Sequence, residues 1–217
     1  MENEFGACDR TLQRPCLFPM RSERNITNDA TDTVLLNRTH TRMGHAMFNN
    51  NEWLEQVSES VIDPERDIVD PHHHLWPQAS MGYNIDELLT DTSDGHAVSQ
   101  TVFMECGAAY RKGGPDFLRC VGETAFVAQA ARVAREQQAP TQIAGIVAHA
   151  DLRSAQLDDV LDAHEEAAEG LFRGIRHAGA SAGNIEGLAI PGGSDRNLMF
   201  NEAFRAGVAR LGERGLT

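Results

Sequence analysis

The chain has 217 residues, 41% of them hydrophobic and 24% charged, with a formal net charge of −13. These values suit a soluble globular protein built as one large domain or two small ones. So acidic a surface argues against nucleic acid or an anionic membrane as partner, because both need clustered Lys and Arg. Cys8, Cys16, Cys106 and Cys120 show no close pairing, so a reducing cytosol is expected and a disulfide framework is not. No apolar run approaches the roughly 20 residues needed to span a bilayer. The N-terminus lacks the apolar stretch of a signal peptide.

Residues 1–46 are polar and rich in Asn, Thr and Arg, and their six Arg balance six Asp and Glu. They read as a disordered extension, so the domain proper is expected over residues 47–217. Glu52 to Val57 predicts a short amphipathic helix before Pro64. Asp67–Asp70 reads as a first strand, and Val98–Cys106, rich in β-formers and stopped by Gly107, as a second. Val121–Glu136 has helical spacing, with Phe126, Val127, Ala130, Ala131 and Ala134 on one side. Gln142–Ala148 predicts a third strand. Ser154 offers an N-cap to a helix carrying Leu157, Val160, Leu161, His164 and Ala168, with Gly170 as its stop. Leu171–Arg176 predicts a fourth strand. A Gly-rich loop around Gly183–Gly193 follows, then a helix over Leu198–Arg214 with Phe200, Phe204, Val208 and Leu211 inward.

Strand and helix alternate throughout, which implies an α/β fold with a parallel sheet, doubly wound or a (β/α) barrel. No Gly-x-Gly-x-x-Gly follows the first strand, so a dinucleotide fold loses support. A (β/α)8 TIM barrel needs eight strands, and only four strand–helix units are present. The chain therefore reads as the N-terminal part of a longer protein.

Parallel-sheet enzymes place their sites at the C-terminal ends of strands. The first strand ends in Asp70, His72 and His74, the second in Glu105 and Cys106, the third in His149 and Asp151, and the fourth in Arg176 and His177. His72 and His74 are two residues apart, which puts both imidazoles on one face of a strand and His73 on the other. Such a pair is half of a transition-metal site. Asp70 either orients a ligand imidazole or accepts from backbone amides. Arg176 either grips a substrate carboxylate or forms a structural ion pair. His149 is either a site residue or a satisfied interior one. Glu105 and Cys106 point to opposite sides. His164, mid-helix, reads as surface or packing.

Val69-Asp70-Pro71-His72-His73-His74-Leu75-Trp76 resembles the opening strand of the amidohydrolase superfamily, in its amidohydrolase-related branch. That branch includes L-fuconolactonase and 2-pyrone-4,6-dicarboxylate lactonase. Val102–Gly107 and Leu171–His177 also look like it. The resemblance runs from about Glu52 to the end. It implies a (β/α)8 barrel with His72 and His74 as metal ligands and Arg176 as a substrate contact. Glu105 and His177 join the substrate-binding candidates. The cofactor it implies is a divalent ion, Zn²⁺ or alternatively Mn²⁺ or Fe²⁺, although some lactonases of this branch work without metal. The branch's catalytic aspartate lies on strand eight, so no catalytic base can be assigned within this chain. The implied activity is hydrolysis of a lactone, ester or amide of a small carboxylated or sugar-derived compound. The alternatives are a decarboxylase on the same barrel, or a catalytically incomplete fragment. The oligomeric state stays open.

Overall fold

The computed structural model describes residues 56–77, 82–181 and 197–217. The 1–46 extension and the Gly183–Gly193 loop lie outside the described residues. Within them run β1 (Asp67–His73), α1 (Ile85–Thr92), β2 (Ala97–Met104), α2 (Val121–Glu136), β3 (Gln142–Ala148), α3 (Leu157–Ala167), β4 (Phe172–Ile175) and α4 (Glu202–Glu213). The strands form one parallel sheet in the order β1-β2-β3-β4. This is the alternating α/β fold expected.

Local physics sets the elements. The strands are rich in Val, Ile, Thr and Phe, and every connection carries a helix, as parallel pairing requires. α1 was not anticipated. Its start is marked by Glu87, whose carboxylate accepts from the Asn84 N–H at 2.8 Å, one arm of a capping box. α3 begins at Leu157, not at Ser154. The Ser154 hydroxyl instead accepts from the Gln156 N–H in a preceding turn. Gly170 ends that connection with φ of 86°, as a stop glycine should. The predicted helix from Glu52 falls mostly outside the described residues. From Val57 to Val61 the backbone is irregular.

One face of the sheet is buried and the other is not. Phe103, Ile146, Ala148, Phe172 and Ile175 join Val127, Ala128, Ala131, Val160 and Leu161 from α2 and α3 in the hydrophobic core. The alternating residues Val102, Met104 and Val147 are only partly buried, and Val69 is 51% exposed. Thr217 lies against the outer edge of β4. Its N–H donates to the Arg173 carbonyl at 3.0 Å, and its own carbonyl accepts from the Ile175 N–H at 2.8 Å. Those are the two bonds of a parallel strand pair opposite Gly174.

α4 packs through Phe204, Gly207 and Leu211, while Phe200 and Val208, expected inward, are exposed. The reason is the helix start. Asn201 caps α4, its side chain accepting from the Phe204 N–H, so Phe200 precedes the helix and Val208 falls off the 204–207–211 stripe. Gly207 sits so close to the loop after β3 that a Cβ there would overlap the Leu152 carbonyl oxygen. Gly207→Ala is therefore expected to destabilise the protein by about 1–3 kcal/mol through overpacking. A lowered Tm in thermal unfolding checks this. Among the described residues, no helix is long and apolar enough to cross a membrane.

Candidate active site

β1 is an edge strand, and Pro71, which has no N–H to give a ladder, sits where the β1–β2 register slips between Asp70 and His73. The Asp70 carboxylate accepts from the His72 N–H at 3.0 Å across this irregularity. Asp70 thus takes the backbone-amide alternative.

Beyond the slip, His72 Nε2 and His74 Nε2 approach to 3.2 Å. His74 Nδ1 lies 2.8 Å from the Met104 carbonyl oxygen. A carbonyl can only accept, so Nδ1 carries the proton and His74 Nε2 presents a lone pair. Two nitrogens sharing a tetrahedral ion at about 2.0–2.1 Å would stand about 3.3 Å apart. The pair thus fits two positions of a divalent-ion site, with the Met104 carbonyl fixing the tautomer from behind. Among the described residues, no group of three or more His, Cys, Asp and Glu side chains gathers as a metal site. Burial, then the neighbouring His72 and Arg176 charges, hold the His74 pKa below the usual histidine value, keeping it neutral.

The ladder continues past the strand ends and delivers the next two groups. The Glu105 N–H donates to the Val147 carbonyl, and the Arg176 N–H to the Ala148 carbonyl. Arg176 Nε then donates to Glu105 Oε1 at 2.8 Å, and Nη2 donates to the Glu105 main-chain carbonyl. Arg176 thus takes the ion-pair alternative. The charges of both residues reach His74. His72, His74, Glu105 and Arg176 therefore share one end of the sheet.

His177 goes elsewhere. Its Nδ1 accepts from the Leu152 N–H at 3.1 Å, and its ring packs edge-on against Phe204 of α4 at 5.3 Å. His149 lies between the two regions, its Nδ1 facing the Arg176 carbonyl at 3.2 Å and its ring 6.1 Å from His177. Cys106 faces away from Glu105, as expected. Burial and the Glu123 carboxylate push its thiol up to about 12, which leaves no thiolate at neutral pH.

Two supporting groups escape a reading of the sequence. Glu123, 2% exposed in the first turn of α2, accepts from the Cys106 N–H at 3.1 Å and the Ala108 N–H at 2.7 Å. It pins the turn that follows Glu105. A glutamate in a first helical turn ordinarily reads as a dipole partner, so nothing local announces this longer reach. Glu123→Ala leaves two amides without acceptors and is expected to cost about 2–5 kcal/mol in chemical denaturation. His164, fully buried in α3, donates from Nε2 to the His149 carbonyl at 3.0 Å and accepts the Thr124 hydroxyl at Nδ1 at 2.8 Å. It steadies the end of β3 from behind the sheet.

No protein-family model, curated protein or solved structure matches the chain.

Proposed function

We propose that these strand–helix units are the first four of a (β/α)8 barrel of the amidohydrolase-related type. The parent protein would be a cytosolic hydrolase acting on a lactone, ester or amide of a small carboxylated or sugar-derived compound. The strand order supports the fold. A doubly wound sheet reverses its order at a switch point and carries helices on both faces, whereas a barrel runs 1-2-3-4 with helices outside. Here the order is sequential, one face is left partly uncovered, and Thr217 pairs in parallel beside β4.

The observation that carries the function is the 3.2 Å approach of two strand-end imidazoles, one of which, His74, has its tautomer set by the Met104 carbonyl. His72 and His74 would hold a divalent ion such as Zn²⁺, Mn²⁺ or Fe²⁺. When bound, that ion supplies Lewis acidity, polarising a carbonyl and making water a nucleophile near neutral pH. Glu105 and Arg176 line the same end and contact the rest of the substrate. His177 steadies the loop after β3 against α4.

A pH-stat screen of the full-length protein against lactones, esters and amides, with and without added Zn²⁺ or Mn²⁺, tests the reading. Ring opening or ester cleavage supports it. Release of CO₂ without simple hydrolysis, or no turnover in any condition, overturns it.

A further inference from the structure

The guanidinium of an arginine has one edge, Nε with one Nη, shaped to grip a carboxylate through two parallel bonds. On Arg176 that edge is already occupied by a single residue. Glu105 Oε1 takes Nε and the Glu105 main-chain carbonyl takes Nη2. The carboxylate is well sheltered, with only 13% of the Glu105 side chain exposed against 34% of Arg176. The backbone that carries Glu105 is fixed on both sides. Its N–H is held by Val147, and the following turn is held by buried Glu123. The Glu105 main-chain carbonyl that accepts from Nη2 is therefore held in place. What the pair leaves uncommitted is one donor group, Arg176 Nη1, and one acceptor, Glu105 Oε2. Neither has a partner among the described residues.

We propose that Glu105 is a specificity-determining residue that cancels the Arg176 charge and makes this end of the site select uncharged, hydroxyl-bearing substrate groups over carboxylates. A hydroxyl both donates and accepts, so it can accept from Nη1 or donate to Oε2. A carboxylate only accepts, and it would meet the Glu105 charge beside the arginine. Like charges placed together are how a site excludes the wrong partner. That such a group belongs to a hydrolysed substrate rests on the proposed function; the charge selection itself does not.

The test has two arms on the full-length protein, comparing wild type with Glu105→Gln. The substitution keeps an oxygen for Arg176 Nε and the main-chain carbonyl for Nη2, and removes only the charge. In the binding arm, sodium malonate is titrated against sodium chloride at equal ionic strength, followed by calorimetry and thermal shift. Wild type is expected to show no malonate-specific binding. E105Q is expected to bind malonate at least about tenfold more tightly. Malonate binding by wild type overturns the proposal, even if the variant does not fold. So does a folded E105Q that gains nothing. In the activity arm, kcat/KM is compared for a neutral lactone and its carboxylated counterpart. The neutral one is expected to be preferred, with the preference narrowed about tenfold in E105Q. A wild-type preference for the carboxylated substrate overturns the proposal. No turnover of either compound overturns the hydrolase reading and leaves the binding arm to decide the charge selection.

Discussion

His72→Ala with His74→Ala in the full-length protein is expected to abolish hydrolysis without unfolding it. The two Nε2 atoms stand 3.2 Å apart at the end of β1; His72 is exposed, and half-buried His74 packs against Trp76 and Phe103, so the change is expected to cost some stability while leaving the fold intact. What is lost is the pair of donors that would hold the ion. Loss of even an outer partner of a metal ligand costs about 10–100-fold, so loss of two ligands is expected to exceed that range. His74→Ala alone should cost nearly as much as the double change, because residues acting as a unit are not additive. Metal content by atomic emission, circular dichroism and kcat/KM check the three parts. A folded double variant with full activity would sink the assignment.

The second large effect is on stability in acid. His73 and His164 are both buried, and burial lowers each pKa from 6.5 to about 4. His73 packs against Phe103, and His164 Nδ1 faces the Thr124 hydroxyl at 2.8 Å. In the unfolded chain each would bind a proton below about pH 6.5. The unfolded state thus binds more protons across the window from pH 6.5 to about 4. Stability is complete above that window and falls as the pH drops through it. One such group contributes about 1.4 kcal/mol per pH unit, so the pair contributes about 2.7 kcal/mol per unit within the window. The full loss is about 3 kcal/mol for each. Urea denaturation at half-unit steps from pH 4 to 8 measures this slope. His164→Gln keeps a donor for the His149 carbonyl but does not titrate. It is expected to remove about half the slope while costing about 1–2 kcal/mol at pH 8 through the lost Thr124 bond and packing. An unchanged slope in that variant would show that His164 is not one of the groups.

The sequence by itself determined the alternation of strand and helix. A parallel strand needs a crossover, and the order of apolar residues gives the crossovers after β2 and β3 a helical period, while α1 between β1 and β2 was not read from it. It also placed His72 and His74 on one face and His73 on the other, because strand geometry fixes where residues two apart must point. Cys106 was legible as facing away from Glu105 for the same reason. The helix start at Asn201 was not legible, so Phe200 and Val208 were expected inward and stand exposed. A helical stripe depends on where the first turn begins, and a cap competes with neighbouring turn residues for that role.

Tertiary structure decided everything that depends on two distant segments meeting. Arg176 and Glu105 lie 71 residues apart, and only the β2-β3-β4 ladder brings them into an ion pair. In the sequence alone Arg176 reads equally as a ligand contact or as half of an ion pair, and nothing names its partner. Glu123 reaches the Cys106 turn, His164 reaches the His149 carbonyl, and His177 turns to Leu152 and Phe204 for the same reason. The paired histidines follow from strand periodicity, a local property. Which charges are already satisfied around them is a property of the sheet, because hydrogen-bond partners are chosen by proximity after folding and leave no trace in spacing along the chain.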